Sequence, residues 1–324
     1  MANPITLKSM SEQIFITGAT GCIGHYVLNE LRVSFPGATL HLLVRRPERF
    51  KQDFLSWPNV VIHKAGMDDI ETCKDILNRM DYVIHIATVW GYNLDHNLRI
   101  NKTRTLEMLS YLDPQRIKKI IYFSTASILT QNNQLSDAAK VDGTPYVKSK
   151  YEGYLALKKC ELNDKIITLF PTVVLGGSDQ HPYSHISQGL LDIKRSIKWV
   201  KWLKVPGSFH FLHAEDIAKM VSISILNRDV PSDIVLGNGE VTFNDAFLEM
   251  ATFCKQKPWV RFYIPRFVFW VLTVVLKKRI DSWGRHCLRN PYFNYLTHSP
   301  KSFNQSVSFP SFSDVLTRMT LNGE

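Results

Sequence analysis

Cysteine is scarce in this chain, and none of it is paired in sequence. The five residues, Cys22, Cys73, Cys160, Cys254 and Cys287, are odd in number, scattered, and without a CxxC spacing. That argues against a disulfide framework and against a zinc site, and leaves them as packing residues of a reducing compartment. Internal repeats and low-complexity tracts are absent too, which excludes solenoids and tails. No apolar stretch precedes the first strand in MANPITLKSMSEQ, so neither a secretory signal nor an N-terminal anchor is expected, and the expected location is cytoplasmic. Histidines recur at no ligand spacing. His85 and His213 lie in strand-like segments and read as core or loop-fixing hydrogen-bonding groups, His63 and His181 have no partner visible in sequence, and no metal is expected. What the chain does have is size and positive charge: 324 residues, 45% hydrophobic and 21% charged, with 39 Lys+Arg against 29 Asp+Glu for a net +10. It is long enough for a large core, and the charge suits nucleic acid, an anionic cofactor or an anionic membrane face.

Short β-branched runs alternate with helical patterns: QIFITG, a helix from Cys22 to Val33, then TLHLLV, VVIHKA, YVIHIA, KIIYFST and KIITLFP. Strands separated by helices predict a parallel sheet covered on both faces, a doubly wound α/β fold of Rossmann type. Val27, Leu28 and Leu31 form one apolar stripe that suits a helix lying on that sheet. After residue 175 the alternation loosens, and the remainder reads as a smaller, mixed substrate-binding part. The expected organisation is therefore 1–175 for the doubly wound domain and 176–324 for the substrate part, with some of its strands and helices returning to the first.

Between the first strand and its helix stand Gly18, Gly21 and Gly24, at intervals of three. A strand, a glycine-rich turn and a helix N-terminus place backbone N–H groups and the positive end of a helix dipole where a phosphate can sit. An ordinary tight turn is the alternative reading, since a short glycine pattern is weakly specific.

A second constellation is TPYVKSKYEG. Tyr146 and Lys150 stand four apart on a helix that starts at Pro145, so phenol and ammonium share a face. A neighbouring cation favours the phenolate and makes a tyrosine a usable proton donor to a carbonyl. Upstream, a strand ends in the hydroxyls of Ser124, Thr125 and Ser127, at the edge where parallel sheets bind ligands.

Glycine turn, strand-end hydroxyl and YxxxK, in this order, resemble the extended short-chain dehydrogenase/reductase family, of NAD-dependent epimerase/dehydratase type. TGATGCIG resembles its TGxxGxxG turn, DYVIHIAT its DxVxHxAa strand, INKTRTLEML its Nv.GT..ll helix and FLHAEDIA its HV.DvA segment; agreement of five weak pieces in order is specific. The resemblance implies Thr125, Tyr146 and Lys150 as catalytic residues, with Tyr146 as acid/base and Lys150 holding the nicotinamide ribose and lowering the tyrosine pKa. It implies a cofactor held by Gly18, Thr20, Gly21, Cys22, Ile23, Gly24, Ala87, Lys150 and Pro171, with Asp68 at the adenine in place of the family's usual GD. Arg45 and Arg46, where an NAD-preferring relative has a carboxylate, favour NADP, with NAD as the alternative. A homodimer through the helix after Asn101 and the helix bearing Tyr146 is a further family expectation.

Departures narrow the reaction. Ala126 and Ser127 replace the Asp-Glu that dehydratases of the family carry, and Phe209 with the apolar FPTVVLG replaces the arginine and asparagine that grip a nucleotide diphosphate. The expected activity is hydride transfer between a secondary alcohol and a carbonyl on an apolar steroid-, flavonoid- or isoprenoid-like molecule, as in the hydroxysteroid dehydrogenase and dihydroflavonol reductase branches. A sugar-nucleotide epimerase with bound NAD and a non-catalytic cofactor-sensing scaffold are the alternatives. Finally, Lys194, Arg195, Lys198, Lys201 and Lys204 interleave with Trp199 and Trp202, and ten uncharged residues from Phe267 to Leu276 lie between Arg266 and Lys277-Lys278-Arg279. Ten are too few to span a bilayer of roughly 30 Å. The expectation is a core helix, a lid, or an anionic membrane surface contacted through 194–204 and 266–279; no nucleic-acid motif accompanies them.

Overall fold

A computed structural model describes residues 11–265, 267–268, 271 and 280–320, the side chains of 191–196 and 319–320 excepted. The chain opens with β1 (Gln13–Thr17), α1 (Cys22–Ser34), β2 (Thr39–Leu43) and β3 (Val60–His63). It continues through α2 (Lys74–Leu77), β4 (Tyr82–His85), α3 (Leu94–Leu98), a π-helical turn at Arg99–Arg104, α4 (Thr105–Ser110), β5 (Lys119–Phe123), α5 (Asp137–Val141), α6 (Pro145–Leu157) and β6 (Ile166–Pro171). These strands, with β11 (Asp233–Leu236), make a seven-stranded sheet in the order β11-β6-β5-β4-β1-β2-β3, every pair parallel.

Both faces of that sheet are buried because side chains alternate along each strand. Ile14 and Ile16 join Leu40, Leu42, Ile84 and Ile121 under α1, while Phe15, Leu43, Val83 and Tyr122 face α2, α4 and α6. The stripe of Val27, Leu28 and Leu31 is fully buried against the first of these layers.

The order of strands reverses between β1 and β4: the chain winds outward from β1 to β3, then returns to start β4 on the other side. A crevice opens at the carboxyl ends of strands at such a reversal.

Beyond β6 the chain forms β7 (Val173–Leu175), α7 (His185–Val200), β8 (Leu203–Lys204), β9 (Ser208–Phe209) and β10 (Phe211–His213). Then α8 (Ala214–Leu226) packs on α1 in the sheet layer, and β11 (Asp233–Leu236) adds the edge strand beside β6. β12 (Val241–Thr242), α9 (Phe243–Phe253), β13 (Phe262–Tyr263) and helices Ser282–Arg289 and Phe312–Thr320 follow. A second core of Leu175, Ile197, Phe211, Met250 and Phe312 holds this part together. Buried Asp216 ties its last segment to α8, accepting from the backbone N–H groups of Ser308 and Phe309 at 2.8 and 3.2 Å.

No helix among the described residues is long and apolar enough to cross a membrane. The uncharged run from Phe267 to Leu276 and its basic flank lie largely outside the described residues.

Candidate active site

The β1–α1 turn is built by its three glycines in three different ways. Gly18 has φ +78°, and a Cβ there would lie 2.7 Å from the Ala87 backbone nitrogen, so only glycine lets the turn press against the loop after β4. At Gly24 a Cβ would come within 2.4 Å of the Gly18 carbonyl oxygen, so glycine is what allows α1 to sit down on the turn. Gly21 is different: it is exposed, and a Cβ would meet only the Gly18 carbonyl, at 3.4 Å. It is the N-cap of α1, yet no side chain caps the helix. The open N–H groups of the first turn, at Cys22 and Ile23, therefore face the same space as Gly21. A cradle that a Cβ would fill, at an uncapped helix N-terminus, fits a pyrophosphate.

The other residues expected at the cofactor stand at successive strand ends. Arg45 and Arg46 follow β2 and are exposed. The stem of Arg45 lies across Gly66, where a Cβ would be 2.8 Å from its Cδ. Asp68 pairs with Arg99 at 2.9 Å, so its carboxylate already has a cation. The Ala87 N–H donates to the Thr17 hydroxyl at 3.1 Å, and Pro171 ends β6 in register with Leu236.

Behind the turn lies a buried relay. The Thr17 hydroxyl meets His85 Nδ1 at 2.7 Å, and His85 Nε2 meets the Thr105 hydroxyl at 2.9 Å. Thr105 donates to the Ile100 carbonyl, so it accepts from His85, and this assigns the proton to Nε2. Burial first, and then the Lys150 charge, hold the His85 pKa down to about 3, so the ring is neutral. His85 thus fixes loops, as its sequence context implied. His213 likewise caps α8, accepting from the Glu215 N–H at 3.2 Å. His63 and His181 do have partners: His63 meets His41 at 3.0 Å, and His181 bonds Ser178 and stacks on Tyr26 at 3.9 Å between centroids.

The proton-handling group comes from α6 and the end of β5. Thr144 caps α6, accepting from the Val147 N–H at 3.2 Å, and Pro145 occupies the first turn, so the helix begins one residue before Tyr146. The phenol of Tyr146 is buried beside the Thr125 hydroxyl. Thr125 accepts from the Ser127 N–H at 3.3 Å, which aims it. Ser124 next to it is buried, and its hydroxyl has no hydrogen-bond partner among the described residues.

Lys150 sits one turn beyond Tyr146, 1% exposed. Its ammonium donates to the Phe123 carbonyl at 2.7 Å and lies 5.0 Å from the Tyr122 ring centroid. Burial brings its pKa down to about 7. Burial pushes the Tyr146 pKa up, and the group that opposes it is the Thr125 hydroxyl.

One contact of the site has no signal in the sequence. Trp90, in the loop after β4, stacks face to face on Tyr146 with centroids 3.9 Å apart and planes 10° apart, while over half exposed itself at 58%. Its loop is held on both sides. Asn101 accepts from the Val89 N–H and donates to the Val89 carbonyl, at 3.0 and 3.1 Å, and Asn97 donates to the Gly91 carbonyl at 3.1 Å. Asn101 also donates to Ser149 at 2.9 Å, joining the loop to α6. INKTRTLEML signalled that asparagine in sequence; nothing there signalled Trp90. Phe209, standing where diphosphate-binding relatives keep an arginine, packs on Phe243 at 5.3 Å between ring centroids. Among the described residues no group of three His, Cys, Asp or Glu side chains is placed to hold a metal.

A doubly wound parallel sheet with a glycine cradle at its reversal point defines a dinucleotide-binding α/β protein. More narrowly, the chain belongs to the NAD dependent epimerase/dehydratase family, whose model matches residues 14–237. A curated relative, the PKS-NRPS hybrid synthetase psoA of Aspergillus fumigatus, is 24% identical over 246 residues, 68% of this chain, and the match spans only 6% of that protein's length. Among solved structures, gox2253 superposes with a TM-score of 0.73 at 19% identity, over 97% of this chain and 99% of that one. The terminal R domain of the myxalamid PKS-NRPS biosynthetic pathway superposes at 0.72 and 17%, over 98% and 92%. At these identities the likeness shows the fold.

Proposed function

We propose that the protein is an NADP(H)-dependent oxidoreductase that interconverts a secondary alcohol and a carbonyl group on an apolar substrate. The observation that carries this reading is the buried Tyr146 phenol, standing beside the Thr125 hydroxyl at the carboxyl end of β5. A neutral phenol held at a strand end is a proton donor poised for an oxygen atom.

When bound, the nicotinamide supplies or takes up the hydride. The residues of the β1–α1 turn would hold the pyrophosphate, and Arg45 with Arg46 would meet a 2′-phosphate on the adenosine ribose. In the reducing direction the substrate oxygen accepts a hydrogen bond from Tyr146 and takes its proton as negative charge develops on that oxygen. Thr125 steadies the resulting phenolate. Lys150, with a pKa held near 7, is poised to carry charge once an anionic partner is nearby. In the oxidising direction the same proton returns to Tyr146.

Apolar surroundings support the substrate class. The exposed indole of Trp90, stacked on Tyr146, offers apolar contact area beside the phenol, and Phe209 in the arginine position offers no cation for a diphosphate.

The test is a titration with NADPH and NADH followed by tryptophan fluorescence, then NADPH-dependent turnover of apolar ketones by the protein and its Tyr146→Phe and Arg45→Ala variants. Tyr146→Phe is expected to lower turnover by roughly 10²–10⁴-fold with NADPH affinity retained, and Arg45→Ala to weaken NADPH and spare NADH. Unchanged turnover in Tyr146→Phe refutes the assigned acid. Co-purifying NAD with redox-neutral turnover of a sugar nucleotide assigns an epimerase, and failure to bind either nucleotide assigns a scaffold.

A further inference from the structure

The charge of the chain is concentrated. Residues 193–214 and 250–280 together hold twelve Lys and Arg and no Asp or Glu, so the rest of the chain, for all its length, is at −2. Four of the seven tryptophans fall in the same two stretches.

The fold brings parts of these stretches together, although Arg266, Lys277, Lys278 and Arg279 and the side chains of Lys194 and Arg195 lie outside the described residues. β8 and β13 pair in parallel, Phe262 beside Leu203 and Tyr263 beside Lys204. The Phe262 N–H donates to the Trp202 carbonyl at 2.6 Å, and Arg261 fastens the ribbon by donating to the Leu203 and Asn244 carbonyls at 2.7 and 3.1 Å. Trp202 and Trp259 meet edge to face, 6.2 Å between centroids.

Large apolar side chains stand outward on this ribbon and at the end of α7. Trp259 is 87% exposed and Trp199 70%, and Phe262, Tyr263 and Phe267 are each more than 60% exposed. Lys198 and Lys201 lie over the Trp199 and Trp202 rings at 5.8 and 5.0 Å. Exposing this much aromatic surface is costly in water and favourable where hydrocarbon meets headgroups, because an indole or phenol has an apolar body and a polar tip. A lysine above such a ring keeps its ammonium at the level of the phosphates.

We propose that this face is a docking surface for a lipid bilayer containing anionic phospholipids. Charge complementarity selects the anionic headgroup, and the exposed apolar side chains of Phe262, Phe267 and Val271, the last 40% exposed, select hydrocarbon over a nucleic acid. The proposal stands independently of the reaction assigned above.

The experiment is co-sedimentation of the full chain with vesicles of phosphatidylcholine and of phosphatidylcholine mixed with phosphatidylglycerol, at low and high salt, with tryptophan emission recorded. Two variants accompany it: Lys198→Glu with Lys201→Glu and Lys204→Glu, and Trp199→Ser with Trp259→Ser. Circular dichroism and NADPH binding report the fold and the remote site. Binding to the anionic vesicles alone, with a blue-shifted emission, is expected. Affinity should fall by at least about fivefold per lysine reversed, and the blue shift should vanish in the tryptophan variant. The proposal is overturned by an unbound full chain, by variants that bind as tightly as the parent, by a dimer that the tryptophan variant dissociates, or by tighter binding to a single-stranded oligonucleotide than to vesicles.

Discussion

Gly21 and Gly24 should respond oppositely to the same added methyl group. At Gly24, a Cβ would lie 2.4 Å from the Gly18 carbonyl oxygen and 2.6 Å from the Ala19 backbone, neither of which can swing away. Gly24→Ala forces α1 off the turn, and overpacking of this kind costs about 1–3 kcal/mol. At about 2–4 °C of Tm per kcal/mol, it lowers Tm by several degrees. At Gly21 the backbone, φ −85° and ψ 176°, is one that alanine adopts freely, and the nearest atom is 3.4 Å away. The unfolded chain loses freedom while the N-cap loses a few tenths of a kcal/mol, so stability stays within about 1 kcal/mol. The methyl, however, projects into the cradle. Holding a pyrophosphate off even one charge-assisted N–H bond forfeits about 1.5–3 kcal/mol, roughly ten- to a hundredfold in affinity. Thermal unfolding by circular dichroism and NADPH titration separate the two effects. If Gly21→Ala binds the dinucleotide within twofold of the parent, the anion does not sit in this turn and the assignment of the cradle is wrong.

Trp90→Ala should leave stability within about 1.5 kcal/mol, the value of one aromatic stack, because the indole is largely exposed. Its effect should appear in chemistry: the Tyr146 phenol regains water, its pKa falls back toward the ordinary range, and the pH profile of kcat/KM moves to lower pH; an unmoved profile rules out Trp90 as a shield. Acid should destabilise the fold early. Burial depresses the pKa of His85 and His213 to about 3 and of His41 and His181 to about 4. Each unfolded ring binds its proton near pH 6.5, so the unfolded state holds more protons below that value. The stabilisation is whole above pH 6.5 and is lost as pH falls toward 3–4. By pH 5 the loss amounts to about 2 kcal/mol for His85 alone. A Tm that is flat from pH 7 to pH 5 would show that these rings are not buried neutral.

The sheet was legible in the sequence for a physical reason. Strands covered on both faces must be apolar throughout, and runs such as YVIHIA and KIIYFST have few other fates. The Tyr146–Lys150 spacing and the glycine turn were equally legible, since a local period alone fixes which side chains share a face. What stayed hidden depends on contacts distant in the chain. Nothing near Trp90 says that its ring will lie on Tyr146, 56 residues later in the numbering. Nor does the YxxxK spacing reveal that Lys150 turns its ammonium to the Phe123 carbonyl, which depends on how deeply α6 presses onto β5. Histidine partners such as His41 with His63 required strand register, which no single segment contains.

The π-helical turn at Arg99–Arg104 carries one residue more per turn than the helices on either side of it, and Asn101 lies within it. From that position a single amide reaches the loop after β4 and Ser149 on α6, while Gly153 on α6 comes so close that a Cβ would be 2.6 Å from the Asn101 carbonyl oxygen. Lineages that shorten this stretch by one residue would wind an ordinary α-turn and rotate the asparagine by about 100°, away from both of its partners. The length of this stretch is thus under constraint even where its composition is free, so substitutions should accumulate around Asn101 far more readily than insertions or deletions.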